Sequence, residues 1–244
     1  MEDVAGGSIP YCGPAPAPAA AWTAWNLDPP LLLALGLLVV AGTVLSRRPL
    51  VFVAGWLALV LAFVSPLCAL TTALFSVRAL HHLLLVGVAA PLFAVALPKA
   101  RPGPGAFFCL TAAALVLWHV PAVYAAAWNG TTIYWLMQGL LLVPAWGFWS
   151  GVLQGGRSGD AGTMVVSAVL IGGLAGVMGL IGAVLVFAGD VLYPQHRPGA
   201  LAWGTDPLAD QQLAGLVMWV PGLLPLAAIA GLVAARAWRR EAFS

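Results

Sequence analysis

Long apolar runs separated by short polar breaks set the pattern of this chain. Seven runs stand out, at Pro30–Ser46, Leu50–Pro66, Leu80–Leu97, Ala106–Ala126, Thr131–Leu153, Thr163–Ala188 and Gln212–Ala235. Each approaches the roughly 20 helical residues needed to cross a hydrocarbon core. The pattern predicts an all-α integral membrane protein, a bundle of about seven transmembrane helices over residues 30–235. An arm, residues 1–29, precedes the bundle and a short tail, residues 236–244, follows it.

The breaks carry the charge. Placing the connections on alternate sides puts Arg47, Arg48, Lys99, Arg101, Arg157, Arg236, Arg239 and Arg240 on one side and leaves Arg78 and Arg197 on the other. Basic residues are retained in the cytoplasm, so the amino terminus and the Gly189–Gln211 loop are expected outside and the carboxyl terminus inside. Glu2 and Asp3 precede a Pro/Ala-rich run with no basic residue, the reverse of a cleavable signal, so the first span is expected to be a retained anchor.

Composition agrees with lipid as the solvent: 62% of the 244 residues are apolar and 7% are charged, where a soluble domain has roughly 25% charged residues. A net charge of +2 makes no basic stripe, which argues against nucleic acid as a partner. Lys99 is the only lysine and falls in an inner loop, which excludes a retinal Schiff base. Gly172, Gly173, Gly176, Gly179 and Gly182 in the sixth run are read as a helix-packing series, with self-association left open.

Sidedness makes the polar inventory lopsided. His81, His82, His119, His196, Asp190, Asp206, Asp210, Cys12 and Cys68 all fall in the outer half or outside, and Cys109 near the inner surface. Arg78 precedes His81 and His82 by three and four residues and shares a helical face with them. The adjacent histidines diverge by about 100°, so a single ion is not expected to take both. They are either interfacial groups wetted by headgroups or metal ligands. His119 lies in Trp118-His119-Val120-Pro121, where the proline should kink the helix and free the Leu117 carbonyl. The seventh run opens Asp210-Gln211-Gln212 and continues through Met218, Trp219 and Pro221. Asp210 is read either as the cap of its own helix or, with Gln211 and Gln212, as lining a polar cavity or binding partner backbone. Imidazoles with the thioether of Met218 and the thiol of Cys12 form a soft donor set that suits copper, especially Cu(I). Cys12 and Cys68 could equally form a disulfide. No nucleophile and base stand in a recognised pattern, so the protein is not expected to be an enzyme.

Several motifs also carry a resemblance. The run from Asp210 to Gly222, Trp118-His119-Val120-Pro121 with Tyr124, and Asn26-Leu27-Asp28-Pro29 are similar to the seventh-span hallmark, the Trp-His-x-Pro-x-x-Tyr element and the first-span entry of the multi-span CtaG family of cytochrome c oxidase assembly factors. One element departs from the family. Its third span commonly begins His-Met-x-Gln-His, whereas this chain reads Arg78-Ala79-Leu80-His81-His82, with Arg78 at the leading histidine and His81 at the glutamine. The arm Tyr11-Cys12-Gly13-Pro14 resembles a proteobacterial subgroup, which would shift a ligand to Cys12.

The resemblance implies a multi-pass protein of the bacterial inner membrane that helps mature a haem-copper terminal oxidase. It would assist copper delivery to the catalytic subunit from the periplasmic side, with other copper chaperones as further partners. His82 and His119 are the expected pair, with His81, Cys12, Met218 and Asp210 as further candidates. Trp118, Trp219, Pro221, Gln211, Gln212 and Arg78 are expected in structural or partner roles. The alternatives are a metal-free scaffold for the unassembled subunit and a haem-binding redox protein using two histidines from different helices.

Overall fold

The computed structural model describes residues 9–97, 103–158 and 160–241. Lys99 and Arg101, and the side chains of Arg157, Arg236, Arg239 and Arg240, lie outside the described residues. The fold is all-helical. A 3-10 segment, Pro18–Thr23, precedes α1 (Pro29–Leu45), α2 (Pro49–Phe63), α3 (Leu67–Ala73) and α4 (Phe75–Leu83). A π-helical stretch, Leu84–Ala89, joins α4 to α5 (Ala90–Ala96). Then come α6 (Pro104–Trp118), α7 (Pro121–Asn129), α8 (Thr131–Ser158), α9 (Ala161–Phe187), α10 (Arg197–Ala202) and α11 (Pro207–Glu241).

Among the described residues, four segments are long and apolar enough to cross a membrane: Phe75–Ala96, Thr131–Gly155, Gly162–Phe187 and Pro207–Gly231. Counting the bent pairs α2 with α3 and α6 with α7 as one span each raises this to six. The remaining apolar helix, α1, has 17 residues, about 25 Å of rise against a core of roughly 30 Å.

Two expectations need correction. The stretch Leu67–Ala79, read as a connection, is helical, and the third span begins at Phe75 rather than Leu80. The residue between α3 and α4 is Leu74, in an extended conformation. The fourth run is broken rather than kinked, because α6 and α7 meet at 80°. Proline at the first position of α7 lacks an N–H and holds Val120 extended, so the helix cannot run through. The Leu117 carbonyl is not freed either, since the Val120 N–H donates to it at 3.1 Å.

Lipid gives helices no hydrophobic reason to associate, so close contact and interhelical hydrogen bonds hold the bundle. Trp56 Nε1 donates to the Leu35 carbonyl, Trp146 Nε1 to Leu97 and the Ser46 hydroxyl to Ala96. Trp149 Nε1 donates to Val86 at 2.7 Å, inside the π-helical stretch where the regular ladder is interrupted. The glycine series divides by face. Gly182 meets Gly215 of α11 backbone to backbone, and a Cβ added at Gly215 would lie 2.5 Å from the Gly182 carbonyl oxygen. Gly173 receives the Phe108 ring, while Gly172 and Gly176 border open space.

That division predicts opposite outcomes along one helix. Gly182→Ala and Gly215→Ala should each destabilise the protein by about 1–3 kcal/mol through overpacking. Gly172→Ala should be neutral or gain up to about 1 kcal/mol from helix propensity. Thermal unfolding in detergent distinguishes the two classes.

Candidate metal centre

The site is assembled around the start of α4. Breaking the chain at Leu74 leaves the first N–H groups of α4 without helical partners, and no water is at hand inside a bundle. Asp210 of α11 supplies the acceptor: its Oδ2 takes the Phe75 N–H at 2.6 Å, and its Oδ1 takes the Ser76 N–H at 3.3 Å and the Ser76 hydroxyl. Of the expectations for Asp210, binding the backbone of another helix fits this and capping its own helix does not. It caps another helix rather than its own, whose start is capped by Asp206 accepting from the Ala209 N–H. Gln211 is likewise used structurally, its Oε1 accepting from Leu192 N–H and its Nε2 donating to the Asp190 carbonyl, which ties down the loop before α10. Gln212 is half-buried beside it.

With α4 so anchored, Arg78, His81 and His82 point into the bundle, at 3%, 0% and 4% exposure. The wetted, interfacial reading of the two histidines is therefore wrong. Arg78 has the phenol groups of Tyr124 and Tyr134 beside it, and its guanidinium carbon lies 5.7 Å from the Tyr134 ring centre. Its Nε and Nη1 find no hydrogen-bond partner among the described residues. Both ring nitrogens of His82 are also unpartnered, as are those of His81, which the Ala62 carbonyl approaches without a bond of ordinary geometry.

His119 sits in the break between α6 and α7 and faces His82, with ring centres 6.2 Å apart. His119 Nδ1 contacts the Leu115 carbonyl at 2.6 Å. A carbonyl can only accept, so Nδ1 carries the proton and Nε2 keeps its lone pair, the arrangement common in metal-binding histidines. His81 and His82 have ring centres 5.9 Å apart.

A second layer covers the imidazoles. Cys12 is bonded to Cys68, which decides between the two readings of this pair and removes Cys12 as a thiolate donor. Tyr11 stacks on Tyr134 and donates to Asp28. Asn26 ties this arm to the end of α2: its side-chain amide donates to the Phe63 carbonyl and its backbone N–H to the Val64 carbonyl. Phe75 and Tyr193 stack at 4.0 Å, and Tyr193 donates to the His119 carbonyl. His196, just before α10, pairs through Nε2 with the Tyr124 hydroxyl at 2.7 Å.

Met218 is buried core. Trp118 is buried with its indole N–H unpartnered, and Trp219 is partly exposed on α11 against Gly182. Pro221 lies within α11. Among the described residues, no three His, Cys, Asp or Glu side chains cluster closely enough to hold one metal ion. Sequence reasoning missed Tyr134 and Ser76, which have no distinguishing spacing, and Gln138, whose polar side chain within an apolar span was a usable signal.

The family model for cytochrome c oxidase caa3 assembly factors (Caa3_CtaG) matches residues 31–104 and 102–241. The chain belongs to that family. No curated protein and no solved structure matches it. Membership agrees with the resemblance in the Asp210 and Trp118-His119 motifs, and the fold gives both motifs a structural purpose in this assembly factor.

Two outcomes follow for this site. Asp210→Ala orphans three donors and should cost on the order of 3 kcal/mol, whereas Asp206→Ala at an exposed cap should cost about 1 kcal/mol. Thermal unfolding in detergent reads the difference. Burial, reinforced by the nearby Arg78 charge, pulls the His196 pKa down to about 3. The unfolded chain binds a proton near pH 6.5 that the folded chain refuses, so stability from neutral His196 is full above that pH and falls as the pH drops toward 3. The acid slope should carry up to about 1.4 kcal/mol per pH unit from this residue. His196→Gln should flatten the stability profile between pH 6.5 and 4.

Proposed function

We propose that this assembly factor carries copper to the catalytic subunit of a haem-copper oxidase, holding Cu(I) as cargo between His82 and His119. The carrying observation is the pair of facing imidazoles from separate helices, 6.2 Å apart between centres. A metal-bound imidazole nitrogen lies about 2 Å from the ion and its ring centre about 1 Å beyond, so two rings flanking one ion stand roughly 6 Å apart. His82 has both nitrogens free of protein partners and His119 has its Nε2 lone pair available. A dry pocket of neutral nitrogen donors favours a soft monovalent ion over a hard divalent one.

Arg78 stands where the family resemblance expects a first histidine, and a guanidinium has no lone pair to offer. This chain therefore works with a two-imidazole core, and the Arg78 charge opposes loading by a more highly charged ion. In this reading the protein crosses the bacterial inner membrane seven times, with α1 as the first span and the amino terminus in the periplasm. The Cys12–Cys68 disulfide is at home in that oxidising compartment. The protein is not an enzyme on this account, because it transfers an ion and makes no covalent bond.

A metal-free scaffold is the competing reading, favoured by the lack of any three-ligand cluster among the described residues. Leu180, Val184, Val220 and Leu224 leave α9 and α11 with an exposed apolar face that a partner helix could cover.

Metal analysis of protein purified under reducing conditions separates the two. The carrier reading expects one Cu(I) per chain, with affinity reduced about tenfold or more in His82→Ala and in His119→Ala. Copper-free protein that still co-purifies with the oxidase subunit would establish the scaffold instead.

A further inference from the structure

The copper reading leaves unused a crevice between α1, α2 and α8. It has a volume of about 370 Å³, within the roughly 300–1,000 Å³ typical of small-molecule sites. Its walls are almost wholly apolar, formed by residues such as Leu31, Leu35, Phe63 and Trp135. Two polar groups break that surface. Asp28 stands at the start of α1, where the arm meets the membrane, and Gln138 lies deeper on α8. Gln138 is 3% exposed, and neither its amide nitrogen nor its amide oxygen has a partner among the described residues. An unpaired amide in a low-dielectric interior is costly, a strong reason for a ligand there.

The crevice also continues inward. A second cavity of about 160 Å³ shares Leu38, Leu59 and Leu142 with it and ends near Phe93 and Trp146. From Trp135 to Trp146 the α8 axis rises about 16 Å, close to the depth of one leaflet. A narrow apolar channel of that length fits one hydrocarbon chain.

The polar groups say what head that chain carries. Asp28 places a carboxylate at the mouth, where it accepts from the Tyr11 hydroxyl through Oδ2, so the mouth repels an anionic head and attracts a cationic one. Gln138 has its Nε2 hydrogens to donate, and a lipid ester carbonyl is an acceptor for them. We propose that this crevice binds one ethanolamine phospholipid, its ammonium at Asp28, an ester carbonyl on Gln138, and one acyl chain along α8 toward Trp146. The lipid then fills the seam between α1 and α8 and stiffens the side of the bundle that backs onto Phe63, which packs on His81.

Gly139 provides a clean test, because a Cβ there meets nothing within 4 Å while the residue lines the crevice. A side chain can be added without disturbing the fold. Full-length protein is reconstituted into vesicles of phosphatidylethanolamine and phosphatidylglycerol, doped with one or the other lipid bearing a mid-chain diazirine, and labelled peptides are mapped after irradiation. The ethanolamine analogue should label α8 between Gly139 and Trp146 about tenfold more than the glycerol analogue. That label should be lost in Gly139→Trp and weakened in Gln138→Leu. Asp28→Asn should erase the preference between head groups. Gly36→Trp, on α1 outside the crevice and also bordering open space, should leave labelling unchanged. Equal labelling by both analogues, or labelling that survives Gly139→Trp, overturns the proposal. Copper content is not read in this experiment, so its outcome is independent of the metal-carrier reading.

Discussion

A single carboxylate bridging two helices governs the arrangement of this protein. Inside a bilayer every interrupted helix exposes N–H groups that have no water to turn to. The chain interrupts itself at Leu74, beside its most polar segment, and Asp210 from a helix more than 130 residues later accepts the orphaned donors. That bond set fixes the rotation and depth of α4 against α11. Because Arg78, His81 and His82 follow within two turns, fixing α4 also fixes where the imidazoles point. Gly182 and Gly215 bring α9 against α11 on the other side, so the anchoring helix is itself held by backbone contact.

The break at His119 acts in concert with the one at Leu74. A continuous fourth helix would carry His119 along a lipid-facing or packed surface; the 80° turn before Pro121 instead presents it toward His82. The same turn exposes the His119 carbonyl, which Tyr193 takes, and lays α7 so that Tyr124 reaches both Arg78 and His196. Aromatic rings and the disulfide-tied arm then close this end of the bundle, and the imidazoles are enclosed by packed side chains.

Arg78 is the most unusual group in the interior of this bundle. A permanent cation buried among phenols, with two of its nitrogens unpaired, is costly to maintain. Asp210 is the one buried Asp, Glu or Lys among the described residues, and it is occupied by α4. The two groups serve different elements, Asp210 shaping the backbone and Arg78 the surroundings of the histidines.

Helix content, membrane residence and the family motifs were legible in the residues, since a run of apolar side chains fixes its solvent and a proline fixes its own break. That His82 and His119 lie near each other was legible from their place near the same-side ends of neighbouring spans. What Asp210 does was not, because an acidic residue at a helix start looks the same whether it caps its own helix or a distant one. Burial of His81 and His82 was hidden for a related reason: they sit near a polar break, and only packing of α11 across that break takes them out of water. The Cys12–Cys68 bond and the crevice at Gln138 belong to the same class. Local sequence determines which backbone groups need partners and which side chains prefer lipid; the tertiary structure alone decides which remote group satisfies each need, because partners far apart in the chain meet only after the helices have packed.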